Sequence, residues 1–348
     1  KFKKKMTKLL FVDNGIEFDS LLLRKKPYGG AEVAFVSLVE SLAKLNYDVC
    51  VYNNCQNKGL INGVSWNRLN SKINKEKFDV LIVNRGDKFL NFKKSCKRRI
   101  FWIHNPAKYI LKYRYLSKIL FNKCKIVFSS KYHMKTYPWW APAKERVIIP
   151  YGVKKQNIKK KLTAPKPIAI FSSNPTRDLD WVLNEWEKKI FPEVSNSRIE
   201  LYTGSQTYGK FGLKHKEKIE PILKYARSLT KKGVFLKEPV TKKVLFRNLK
   251  NSRVLIYKGT DDETFCMAVA EAQTHGIPVV VCNFGSLSER VKNYETGFVC
   301  DNESEFSVKT IKLLKDDKTW MRMHKNLIKN NNHDDWSEVA KKWQKIID

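Results

Sequence analysis

The sequence predicts an α/β protein built from two doubly wound domains, and three observations carry that prediction. At 348 residues the chain is longer than one hydrophobic core comfortably supports. Short apolar runs alternate with helical patterns from end to end. Those runs are continuous rather than alternating in polarity, as expected of parallel strands covered on both faces.

The elements follow in order. In the first half, strands are predicted at 9–13, 48–52, 79–83, 100–103, 126–129 and 147–149. In the second half they are predicted at 168–172, 199–203, 233–236, 253–257, 278–282 and 297–300. Between the first two lies a helix over 31–45, with Phe35, Leu38, Leu42 and Leu45 on one face. A polar, basic stretch over 154–161, followed by Pro165 and Pro167, marks the boundary. The domains expected are therefore 1–152 and 165–330, with a terminal segment 331–348. Both are Rossmann-like and are expected to face each other across a deep cleft, with ligands in the loops after the strands.

Composition narrows the function classes. No run of 18 apolar residues is present, so no membrane-spanning helix is predicted. The basic start leads into an apolar stretch too short for a signal peptide, which reads as the first strand. Seven cysteines form no C-x-x-C pair and no zinc-ligand spacing, which points to reduced thiols in a cytoplasmic protein. The net charge is +34. Residues 85–146 concentrate it, with 17 Lys/Arg against Asp87 and Glu145 alone. Such a field draws nucleic acid, anionic lipid or acidic substrates, although a lysine-rich composition alone places much of it on solvated surface.

Four segments carry candidate chemistry. Gly29-Gly30 opens the first long helix, where glycines allow positive φ and close backbone approach to an anion; a simple turn is the plainer alternative. His104 ends a buried strand before Asn105-Pro106 and is expected to project into the cleft, although a lone histidine is more often structural. Arg177 lies in the loop after the first strand of the second half, poised either for phosphate oxygens or for Asp178 and Asp180. Glu263 and Glu271 bracket seven residues at a strand-to-helix junction. With a helix starting just after Glu263 they stand roughly 12 Å apart, at about 1.5 Å per residue. That exceeds the roughly 5–9.5 Å of a glycoside hydrolase pair and suits an extended ligand. A capping acid plus an exposed glutamate is the alternative, but the apolar helix between them argues that Glu271 is buried and needs a partner.

In order and spacing these segments resemble the retaining group 1 (family four) glycosyltransferases of GT-B fold, along nearly the whole chain. The similar pieces are Gly29-Gly30-Ala31-Glu32, the strand ending at His104, residues 147–153, the Glu263-x7-Glu271 helix, 276–280, 293–299 and the terminal Asp335-Trp336 segment. The resemblance implies that Glu263 binds donor-sugar hydroxyls and Glu271 the nucleotide ribose. It implies that backbone N–H groups of Phe265, Cys266 and Met267 meet the sugar or diphosphate. Gly29 and Gly30 would lie against phosphates and acceptor, His104 would stabilise the reacting sugar, and Arg177 sits near the family's basic phosphate-binding pair. It also implies a terminal helix returning to the first domain, no cofactor and no metal.

The chain departs from the family pattern at Thr264 and Cys266, where glycines are usual, and at Arg177-Asp178, where Lys-Gly is usual. The partners expected are a nucleotide-sugar donor and a glycan or lipid-linked acceptor, with an anionic membrane surface as a further candidate and nucleic acid not expected. The membrane expectation rests on one helix over 108–123, with Ile110, Tyr113, Leu116 and Ser117 on a face ringed by Lys108, Lys112, Arg114 and Lys118. A nucleotide-sugar epimerase of similar fold and a basic nucleic-acid-binding protein are the alternatives.

Overall fold

The computed structural model describes residues 6–70, 72–73, 76–92, 96–205, 215–330 and 333–348. Contacts divide the chain into two units: Lys1–Lys25, Ala31–Gly152 and Asp334–Asp348 form the first, Lys26–Gly30 and Val153–His333 the second.

The first unit contains β1 (Lys8–Asp13), β2 (Asp48–Asn53), β3 (Gly59–Ile61), β4 (Val64–Arg68), β5 (Val80–Asn84), β6 (Arg98–Trp102), β7 (Lys125–Phe128) and β8 (Glu145–Ile148). They form one sheet in the order β3-β4-β2-β1-β5-β6-β7-β8. Only β3, which pairs antiparallel with β4, breaks the parallel pattern. The helix Gly30–Lys44 lays Phe35 against Phe11 and Trp102, with ring centroids 5.6 and 6.3 Å apart. The terminal helix Trp336–Ile347 starts from a capping box of Asp335 and Glu338. It buries Trp343 edge-on against Trp102 at 5.0 Å. Gly152 has no side chain because the Trp336 ring occupies the place, 2.7 Å from where a Cβ would stand.

The second unit contains β9 (Ile168–Phe171), β10 (Arg198–Tyr202), β11 (Val234–Lys237), β12 (Val254–Tyr257), β13 (Val279–Cys282) and β14 (Gly297–Cys300). Their order is β11-β10-β9-β12-β13-β14, all parallel. Each sheet thus reverses direction once, beside β1 in the first unit and beside β9 in the second. Such a switch point opens a crevice at the carboxyl ends of the strands.

The twelve predicted strands are all present, displaced by at most two residues at an end. The β3–β4 hairpin was not predicted. Its signal is Asn62-Gly63, both at positive φ (53° and 79°), the two-residue turn that matches strand twist. The expected single helix over 108–123 is corrected. A 3₁₀ segment Ala107–Leu111 ends at Lys112 in extended conformation (φ −69°, ψ 140°), and a separate helix spans Tyr113–Phe121. The break shifts the phase, so Ile110, Tyr115 and Ile119 turn inward while Tyr113 is 83% exposed. No described helix is long and apolar enough to cross a membrane. All seven cysteines are unpaired thiols, six of them buried.

Buried histidines join the loops. His133 accepts from the Ser129 N–H (3.1 Å) and donates Nε2–H to the Asn105 carbonyl (2.8 Å). His324 accepts from the Lys161 N–H (3.2 Å) and donates to the Gly276 carbonyl (2.6 Å). These roles require neutral rings. Burial pushes His133 down to about 4, and lowers His104, His275 and His324 as well.

A group neutral when folded but protonated when unfolded below its ordinary value of 6.5 makes stability fall as pH drops beneath 6.5. The loss is about 1.4 kcal/mol per pH unit for each histidine, until its folded value is reached. Urea unfolding from pH 8 to 5 should therefore show a plateau above 6.5 and a decline below it. His133→Gln should flatten that decline by its share. A profile flat to pH 5 contradicts the neutral network.

Candidate functional site

At the switch point of the first unit, register places Asp13 beside Asn84, and Asn84 beside Trp102. Asp13, Asn84 and His104 are buried. The Asn84 side chain donates Nδ2–H to Asp13, and its Oδ1 accepts from His104 Nε2 at 2.6 Å. His104 Nδ1 then accepts from the Tyr151 hydroxyl. Burial first, then Arg85 and His133, holds His104 well below its usual value, so the ring is neutral. The His104 ring is thus buried at its strand end, with both nitrogens engaged.

Arg85 extends this chain of contacts. It takes a left-handed conformation (φ 64°) directly after β5. Its Nε reaches Asp13 at 3.1 Å and its Nη1 reaches Glu32 at 2.7 Å. Burial works against its charge, but Glu32 and Asp13 outweigh that and hold the guanidinium above its usual value. Two carboxylates against one guanidinium leave this cluster one negative charge in excess. Sequence reasoning missed Asp13, Asn84, Arg85 and Tyr151. The available signal was polar residues ending apolar runs; the φ of Arg85 leaves none.

At the switch point of the second unit, the loops after β9 and β12 meet. Arg177 Nη1 donates to Thr260 Oγ1 at 2.7 Å, and its Nε stands 3.6 Å from Glu263. Of the two alternative acids, Asp178 and Asp180, Asp178 pairs instead with Lys258 at 2.9 Å. Glu263 is buried and accepts from the Tyr257 hydroxyl. Burial and the neighbouring Glu263 raise Tyr257 well above its usual value, so it remains a donor. The loop after β13 fixes the Glu263 backbone: Ser286 N–H donates to the Glu263 carbonyl at 2.8 Å. Gly285, at φ 57°, leaves room that a Cβ would fill 2.4 Å from that carbonyl.

The helix does not begin just after Glu263, as the roughly 12 Å spacing assumed. Residues 263–266 run as a loop, Cys266 adopts a left-handed conformation (φ 62°, ψ 80°), and the helix spans Met267–Gln273. Phe265 and Cys266 are buried, and Met267 is half-buried. Burial, then Glu263, pushes the Cys266 thiol well up. Glu271 is buried and has the partner that burial required: Lys242 Nζ lies 2.6 Å from its carboxylate. Lys242 was another residue the sequence did not single out.

Gly29 and Gly30 take no positive φ, so the left-handed turn allowed for them is not used. At Gly30, which groups with the second unit, the missing side chain matters: a Cβ there would stand 3.2 Å from the Met267 Cβ.

Residues 213–334 match the family model described as glycosyl transferases group 1. No curated protein matches the chain. Among solved structures, the sucrose-phosphate synthase of Thermosynechococcus elongatus is similar at 13% identity and TM-score 0.75, covering 98% of both chains. HepE of Anabaena, in complex with UDP and glucose, is similar at 12% identity and TM-score 0.73, covering 98% of this chain and 99% of that one. WaaG, a glycosyltransferase involved in lipopolysaccharide biosynthesis, is similar at 11% identity and TM-score 0.69, covering 97% and 99%. At these identities the likeness shows the fold, which is GT-B.

Tyr257→Phe should remove the donor that orients Glu263 and leave a buried carboxylate short of one hydrogen bond. The expected loss is about 1–3 kcal/mol of stability in chemical denaturation. An unchanged unfolding midpoint contradicts the contact.

Proposed function

We propose that this chain, a GT-B protein whose second unit carries a group 1 glycosyl transferase domain, moves a sugar from a nucleotide-sugar donor to a glycan or lipid-linked acceptor with retention of anomeric configuration. The observation that carries the proposal is the meeting of Arg177, Glu263 and the start of the helix Met267–Gln273 at one switch point. A donor needs an acceptor for its sugar hydroxyls, a cation for its departing diphosphate and a hydrogen-bond acceptor for its ribose, and Glu263, Arg177 and Glu271 in turn are of the types required.

In this reading Glu263, oriented by Tyr257, accepts hydrogen bonds from donor-sugar hydroxyls. Arg177 turns its guanidinium toward phosphate oxygens, where negative charge grows as the glycosidic bond breaks. The N–H groups of Phe265, Cys266 and Met267, where the loop enters the helix Met267–Gln273, would donate to the sugar or diphosphate. Glu271 takes the ribose hydroxyls, with Lys242 stabilising its charge. Gly29 and Gly30 lie against phosphates and acceptor. His104 acts as a neutral group beside the reacting sugar, which requires its contact with Asn84 or Tyr151 to open. The leaving diphosphate is neutralised by these groups, so the reading needs no divalent cation, and transfer should persist in EDTA.

The proposal is tested by a thermal-shift series against nucleotide sugars, since a ligand of the native state raises the melting point by mass action, followed by assay of transfer and of donor epimerisation. Glu271→Ala should weaken nucleotide binding with turnover largely kept, while Glu263→Ala and Arg177→Ala should lower kcat by about 10²–10³. His104→Ala should lose transfer yet keep nucleotide affinity. Wild-type constants in all four variants, or an epimerised donor as the product, contradict the assignment.

A further inference from the structure

The amino-terminal edge of β6–β8 lies opposite the edge that carries Asp13, Asn84 and His104 within the first unit, and nothing in the proposed chemistry uses it. Two adjacent tryptophans stand there on a loop built to be rigid. Arg146, on β8, donates to the carbonyls of Tyr137 (3.3 Å), Pro138 (2.7 Å), Trp139 (2.9 Å) and Ala141 (2.7 Å). Its guanidinium also lies over the Tyr137 ring at 4.9 Å, and the Tyr137 hydroxyl donates to the Pro142 carbonyl at 2.8 Å. This staple holds Trp139 and Trp140 outward, 89% and 57% exposed. A guanidinium satisfied by four carbonyls makes the loop stiff without burying either indole.

Cations flank the same edge. Lys144 follows the tryptophan loop, and its N–H donates to the Cys124 carbonyl at 2.9 Å, which sets it beside Lys123. Lys123 and Lys144 help line a groove whose described lining holds seven Lys/Arg and no Asp or Glu. Several of those cations are spent internally, Lys118 on Asp87 and Lys125 on Glu145. Lys123 and Lys144 have no ion-pair partner among the described residues. Phe121, 78% exposed, lines the groove with Lys123, and Leu120 next to it in the chain is 58% exposed.

We infer that this edge docks on an anionic lipid bilayer, with Trp139 and Trp140 in the headgroup zone and Lys123 and Lys144 against lipid phosphates. Indoles sit at that boundary because one part of the ring is apolar and the other donates a hydrogen bond. Cations beside it gain from the surface potential. Single-stranded nucleic acid also takes aromatics with cations, but an exposed Leu120 stacks no base, and the tryptophans protrude rather than line a track. The charged helix face expected from the sequence is replaced by this different surface. The inference is independent of the donor site, so either can fail alone.

Flotation with vesicles of phosphatidylcholine, with and without phosphatidylglycerol, tests it. The protein should float with the anionic vesicles at low salt, detach as salt rises, and stay behind with pure phosphatidylcholine. Trp139→Ala/Trp140→Ala should weaken binding by about tenfold or more, Lys123→Gln/Lys144→Gln by a similar factor. Both double variants should keep the wild-type melting point and nucleotide-induced thermal shift, because none of the four side chains is in a core. Binding unchanged in the tryptophan variant overturns the inference, as does absence of flotation at low salt. Tryptophan-dependent binding of an oligodeoxythymidylate without vesicle binding also overturns it and assigns the edge to nucleic acid.

Discussion

Everything in this molecule that bears on chemistry depends on where a parallel sheet reverses its winding. Parallel strands buried on both faces have no place for charge along their length. Polar groups collect at the carboxyl ends, and at the reversal the two adjacent loops diverge and leave a crevice. In the first unit the reversal falls between β1 and β5, and Asp13 and Asn84 end those strands side by side. In the second it falls between β9 and β12, whose following loops bring Arg177 to Glu263.

Burial then dictates what these groups must do. A buried carboxylate without a partner costs several kcal/mol, so each one here is held. Asp13 and Glu32 share Arg85, Glu263 takes Tyr257 and Arg177, and Glu271 takes Lys242. These contacts keep the carboxylates aimed in fixed directions before any ligand arrives. Preorganised groups lose little on reaction, which is the physical basis for reading the second cluster as a donor site.

The strands were legible because continuous apolar runs depend on local sequence, whereas the spacing read for Glu263 and Glu271 assumed a helix that begins only at Met267. The partners were not. Lys242 meets Glu271 across 29 positions and Arg177 meets Thr260 across 83. No local pattern encodes such separations. Backbone conformations at Arg85, Asp178 and Cys266 escaped for a related reason: non-glycine residues at positive φ are set by what surrounds them. The β3–β4 hairpin is different, since Asn62-Gly63 carried a usable signal. The helix over 108–123 went astray because amphipathic spacing continued across Lys112, where the backbone is extended.

In the proposed function the second unit holds a nucleoside diphosphate along its switch point, from Arg177 to Glu271. A crystal structure with a bound nucleoside diphosphate tests it most directly. Ribose hydroxyls should lie within hydrogen-bond distance of Glu271, and phosphate oxygens should face Arg177 and the N–H groups of Phe265 to Met267. A nucleotide bound away from both residues, with the Lys242–Glu271 and Arg177–Glu263 contacts undisturbed, would contradict it.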